Sequence, residues 1–186
     1  MLPRAYHAFN AVRRFCAGLQ RQSVVRAVAG CVALTSPFAA NAADATPPSL
    51  VPPGTEPFVV TTATGVQVYA CEFDSAHRLG WVFQRPKATL YDSAGQAIIQ
   101  HDAGPSWQAT DGSRIVGRMI AQAPARSPNS IPQLLLETHS TAEGSLSVVR
   151  FVQRLDTVGG TPPSDTCSQE HQVGSSPYFA RYLFLK

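Results

Sequence analysis

No acidic residue occurs before Asp44, whereas Arg4, Arg13, Arg14, Arg21 and Arg26 all stand in that first stretch. No apolar run is long enough for a membrane span: after Arg26 the sequence Ala-Val-Ala-Gly-Cys-Val-Ala-Leu-Thr-Ser-Pro-Phe stays apolar or small for only about a dozen residues, against the ~20 that a bilayer requires. Also missing beyond residue 42 are a Gly-x-Ser-x-Gly elbow, a phosphate-binding glycine loop, His-Glu-x-x-His and Gly-x-Gly-x-x-Gly. These absences exclude the familiar hydrolase, nucleotide, zinc-protease and dinucleotide signatures.

What is present at the start has the order of a secretory leader: a basic segment, an apolar segment, then Ala40-Asn41-Ala42 with small residues at the positions read by a signal peptidase. The expectation is a leader over residues 1–42, cleaved after Ala42, and a periplasmic or secreted product. Val28-Ala29-Gly30-Cys31 resembles a lipoprotein box, but Arg26 stands too close ahead of it to leave an apolar core. Arg13-Arg14-Phe15 resembles a twin-arginine signal with poorly fitting flanks, and the long basic stretch also fits a start codon placed too early.

Without the leader the charge balance reverses. All 12 acidic residues and 10 of the 15 Lys and Arg follow residue 42, a net charge of −2. No basic cluster remains to track phosphates, so a nucleic-acid partner is not expected. Cys16 and Cys31 leave with the leader, and Cys71 and Cys167 remain. Two cysteines in an exported domain pair more often than not, so a structural disulfide is expected, with two buried thiols as the alternative. Neither belongs to a Cys-x-x-Cys pair, and two distant cysteines are too few for a metal.

Residues 43–56 hold four prolines and no periodicity, the composition of an extended linker or N-terminal arm. Residues 57–186, about 130, suit one domain. Their periodicity is two. Val66, Val68 and Ala70 alternate with Gln67, Tyr69 and Cys71, and Trp81–Phe83 and Ala88–Tyr91 flank the breaker pair Arg85-Pro86. Asp92-Ser93-Ala94-Gly95 and Asp111-Gly112 mark turns, and Leu134–Thr138, Leu146–Leu155 and Tyr178–Leu185 read as further strands. Leu146, Val149 and Val152 also fit one helical face, but the β-branched content favours a strand. The fold class expected is all-β, an antiparallel β-sandwich or barrel.

The densest group of chemically capable side chains is the run from His101 to Ser113. It offers His101, Asp102, Trp107, Asp111 and Ser113 as a candidate binding set, with Gly104-Pro105 to bend the chain. Trp107 suits stacking on a ring, while His101 with Asp102 and Asp111 suits proton transfer or a metal. The bland alternative makes Trp107 a core aromatic and Asp111 a turn residue. Glu137 and His139 share a strand face and with His101 could assemble a metal site. Nothing fixes their distance from the loop, however, and a solvated Glu beside a surface His is the plainer account. His77 and His171 fall in polar segments expected to be exposed. No metal and no cofactor are expected.

Several segments come in a characteristic order: Pro52-Pro53-Gly54; Gly65-Val66-Gln67-Val68-Tyr69-x-Cys71; Trp81-x-Phe83-x-x-Pro86-x-Ala88-x-Leu90; and His101-x-x-Gly104-Pro105-x-Trp107 with Asp111-Gly112-Ser113. Ile131-Pro132-x-Leu134-Leu135-Leu136, then Val152-Gln153-Arg154-Leu155-x-Thr157-x-Gly159-Gly160, Cys167 and the tyrosine-rich end complete the set. Over about residues 51–186 this resembles the domain-of-unknown-function family three-four-five-five of secreted bacterial and fungal proteins. Gln133 stands where many relatives carry an aromatic. The resemblance implies an exported, β-rich domain and no catalytic residues. Some fungal members carry the label malate dehydrogenase, for which this chain has no dinucleotide fingerprint and no alternating βα pattern. Three functional classes stay open: an exported domain binding a ligand or an envelope component, a metal-assisted enzyme on the His101–Asp111 loop, and a structural surface protein without a small-molecule site.

Overall fold

In the computed structural model the described residues are 45–186, so the expected leader over 1–42 lies outside them. Eight strands follow in chain order: β1 (Pro57–Phe73), β2 (Leu79–Tyr91), β3 (Ala97–Asp102), β4 (Ser106–Ala109), β5 (Arg114–Ala123), β6 (Gln133–Ala142), β7 (Phe151–Gly159) and β8 (Val173–Leu185). Each pairs antiparallel with the next, and β8 returns to β1, which closes a barrel. The all-β expectation holds, and of its two forms the chain adopts the barrel. Closure gives every strand a neighbour on both sides.

The period of two becomes an inside and an outside. Along β8, Tyr178, Ala180, Tyr182 and Phe184 point inward, where they meet Ala63, Leu90, Ile99, Trp107, Ile115 and Val152 in one buried cluster. In β1 the inward set is Gln67, Tyr69 and Cys71, and the valines between them are only half-buried. Salt bridges Arg118–Glu137 and Arg126–Asp156–Arg181 lie on the outside.

Two local readings change in detail. Arg85-Pro86 does not break β2; the register slips between Val68 and Tyr69, leaving Gln84 as the extra residue of a bulge. Pro86 is tolerated because at that point β2 has β1 on one side, while β3 pairs only from Ala88 onward. The run 146–155 divides, with a 3₁₀ turn at Ser145–Val148 and a strand from Phe151, so Leu146 and Val149 plug one barrel end. That mixed geometry explains why the run fits two periods.

Residues 45–56 lie against the outside of the barrel. A 3₁₀ turn, Pro48–Leu50, buries Leu50 completely in a second apolar cluster with Ala123, Leu135 and Leu155. Gln153 Nε2 donates to the Leu50 carbonyl, and the Arg126 guanidinium donates to the Ala45 carbonyl.

Candidate functional site

The strands differ in length, and the difference opens one end of the barrel. β2 runs past the last residue of its partner β3, and β3 and β4 meet at the short turn Ala103–Pro105. Between this overhang and β5–β7 lies a cavity of about 320 Å³. Phe83, Pro86, Met119, Leu134 and Leu136 form most of its wall, Gln84 and the Gly104–Pro105 turn contribute to its rim, and His101, Trp107 and Tyr182 form its floor. Arg154 brings the only formal charge among the lining side chains that remains at neutral pH.

The floor is an aromatic stack. His101 and Trp107 are cross-strand partners, and their rings lie parallel, with centroids 4.7 Å apart and planes 4° from parallel. Tyr182 meets both rings edge-on, at 5.4 Å and 6.3 Å, and Phe184 meets Trp107 edge-on at 6.2 Å. Room for the indole comes from Gly117, where a Cβ would stand 2.9 Å from the Trp107 ring. The Trp107 Nε1 donor is buried and has no partner among the described residues.

His101 Nδ1–H donates to the Ser106 carbonyl at 2.8 Å, which fixes the neutral tautomer and leaves the Nε2 lone pair as an acceptor. Burial drives the imidazole pKa down to about 4; the Ser106 bond and the Asp102 charge oppose the shift, and the Arg154 charge adds to it. The ring is therefore uncharged at neutral pH. Burial likewise raises the hydroxyls of Tyr178 and Tyr182 above the ordinary phenol range.

Of the five residues expected to act together, only His101 and Trp107 line the cavity. Asp102 is next in β3 and so faces out, where it pairs with Arg85 at 2.7 Å. The Ala103 N–H, followed by Arg85, holds its carboxyl below the usual range. Asp111 and Ser113 sit beyond the far end of β4. There Asp111 accepts from Ser113 Oγ (2.6 Å), Ser113 N–H (3.0 Å) and Ser145 N–H (2.8 Å), which lowers its pKa, and Ser113 Oγ accepts from Leu146 N–H at 3.2 Å. These two residues bolt the β4–β5 turn to the 3₁₀ turn.

Glu137 and His139 face outward on β6, and His77 and His171 are exposed. Among the described residues, three metal-ligand side chains come together only at Glu72, Glu170 and His171, a largely exposed group outside the cavity. The lining residues Phe83, Met119, Arg154 and Tyr182 all fall outside the 101–113 run, Arg154 and Tyr182 far along the chain from it. The alternation that turns Tyr178, Tyr182 and Phe184 to one side is the signal that would have found Tyr182.

Cys71 and Cys167 form the disulfide, with Cα atoms 5.8 Å apart. It ties the end of β1 to the 160–172 segment, and Trp81 Nε1–H donates to Asp165 O in the same segment at 2.7 Å. Tyr69 OH donates to Gly160 O at 2.5 Å, and its ring meets Phe83 edge-on at 5.8 Å. The mouth is thereby fastened on the side of β1 and β8.

No helix among the described residues is long and apolar enough to cross a membrane. No curated protein and no solved structure matches the chain. One family model does, over residues 52–186, and on that match, from Pro52 to the terminal Lys186, the chain belongs to the protein of unknown function family DUF3455.

Proposed function

We propose that this protein is an exported binding domain that holds one small, largely apolar molecule in the open end of its barrel. The observation that carries the reading is the cavity itself: about 320 Å³, walled by apolar side chains and floored by the buried His101–Trp107 stack. That volume is at the lower end of the roughly 300–1,000 Å³ typical of small-molecule sites, and a few polar groups in an apolar wall are the usual composition of such sites. Export is supported by the basic–apolar–small order of residues 1–42 and by a disulfide, a bond that persists in oxidising compartments. The enzyme alternative has less support, because His101, Asp102 and Asp111 point to the inside, the outside and the far end of the barrel.

The test is titration with a neutral apolar fluorophore such as N-phenyl-1-naphthylamine, read by probe emission and by quenching of tryptophan. Saturable binding at one site per chain is expected. Met119→Trp, at a half-exposed wall position, should fill the cavity and weaken binding at least about tenfold while the far-ultraviolet spectrum stays unchanged. Binding that ignores this substitution, or no binding at all, would overturn the reading.

A further inference from the structure

We infer that the ligand is a single-chain anionic amphiphile whose acidic head pairs with Arg154 and whose hydrocarbon body lies against Phe83, Pro86, Met119 and Leu134. This rests on the binding reading above and adds the chemical class of the ligand. Arg154 stands on the inward face of β7, two residues from the buried Val152, in a wall that is otherwise apolar. Its Nε and one Nη donate to the Pro132 carbonyl, at 3.3 and 2.9 Å. No Asp or Glu lies within ion-pairing distance of it among the described residues, whereas Arg85, Arg118, Arg126 and Arg181 have such partners; Arg114 and Arg150 also lack one, but they do not line the cavity.

A guanidinium half-withdrawn from water beside an apolar cavity lacks the counter-charge that normally accompanies burial. Its charge opposes protonation of His101 and offsets part of the rise that burial gives the phenols of Tyr69, Tyr178 and Tyr182. A carboxylate would supply the missing charge and accept charge-assisted hydrogen bonds. The cavity sets the size of the remainder: about 320 Å³, near the lower end for small-molecule sites, suits one hydrocarbon chain rather than two.

The experiment compares decanoate with 1-decanol, which share a chain and differ in head charge, as competitors for bound N-phenyl-1-naphthylamine at neutral pH. Decanoate should bind at least about tenfold more tightly. Arg154→Gln should remove that preference and leave 1-decanol affinity within about twofold, which also shows that the variant is folded; Arg154→Lys should keep part of it. Equal binding of the two amphiphiles by the native protein, or a preference that survives Arg154→Gln, overturns the anionic head and leaves the cavity reading standing. Failure of both amphiphiles to displace a bound probe overturns the single-chain amphiphile as occupant. Failure of the probe itself to bind overturns the cavity reading and this inference with it.

Discussion

The two ends of the barrel are built from similar residues and solve opposite problems. At the far end, Leu90, Ile99, Ile115, Leu146, Val149 and Phe184 fill the interior, and the polar side chains above them bond to one another. The Asp111 carboxylate meets three donors, and Ser113 Oγ both donates to it and accepts from Leu146 N–H. At the mouth the same kinds of group are left incomplete among the described residues: Trp107 Nε1–H has no acceptor, and Arg154 has no carboxylate. A satisfied polar network rigidifies an end, whereas a buried polar group without a partner is costly in a low dielectric. The strands carry the chain from one end to the other within a few residues, so His101 and Asp111 serve different ends although ten positions apart.

The largest expected effect falls on the fastening of the mouth. Replacing Cys71 and Cys167 together by Ser removes a crosslink spanning 96 positions, a loss of about 4–5 kcal/mol in the chain-entropy model. Denaturant unfolding of the double variant should show that loss, and reduction of the native protein should reproduce it. Because the bond ties β1 to the 160–172 segment, this segment should become the first site of proteolysis. Cleavage that begins instead at the 110–113 turn would reverse the contrast between the ends.

The next effect is the acid sensitivity of the floor. His101 has its folded pKa lowered to about 4 from 6.5, so between these values the unfolded chain binds a proton that the folded chain refuses. Its contribution is present in full above pH 6.5 and is lost as pH falls toward 4, about 3 kcal/mol in all. Asp102 and Asp111 have lowered folded pKa values, so their contributions are present above the ordinary carboxylate pKa and disappear only below it. Equilibrium unfolding between pH 7 and 4 should therefore show a slope that His101→Phe, which retains a stackable ring, flattens. A slope unchanged in that variant would place the acid sensitivity elsewhere.

How much of this was legible in the sequence follows from which interactions are local. The turns at Asp92–Gly95 and Asp111–Gly112, the alternation of β8 and the all-β class depend on neighbours along the chain, and they stand as expected. The 101–113 run was visible as a cluster, but strand direction divides it: His101 and Trp107 face inward as cross-strand partners, Asp102 faces outward, and Asp111 and Ser113 lie past the end of β4. Closure of β8 on β1 brings Tyr182 to His101, and the β6–β7 pairing places Arg154 beside Leu134. Those contacts have no local spacing rule. An Arg at an inward position, in phase with Val152, was the one available hint, and it carries weight only once the inside of the strand is known.

The smallest effect tests whether the ends are separable. Ser113 is fully buried, and its hydroxyl links Asp111 to Leu146 N–H. Ser113→Ala leaves that N–H without its acceptor and removes one donor to the carboxylate, at a cost of about 1–3 kcal/mol. The substitution adds no bulk, so the 3₁₀ turn should loosen without pressing on the barrel. If the far end works only as a plug, stability falls by that amount while the affinity for an apolar probe stays within about twofold. A probe affinity that falls together with stability would show that the plug also sets the position of the His101–Trp107 floor.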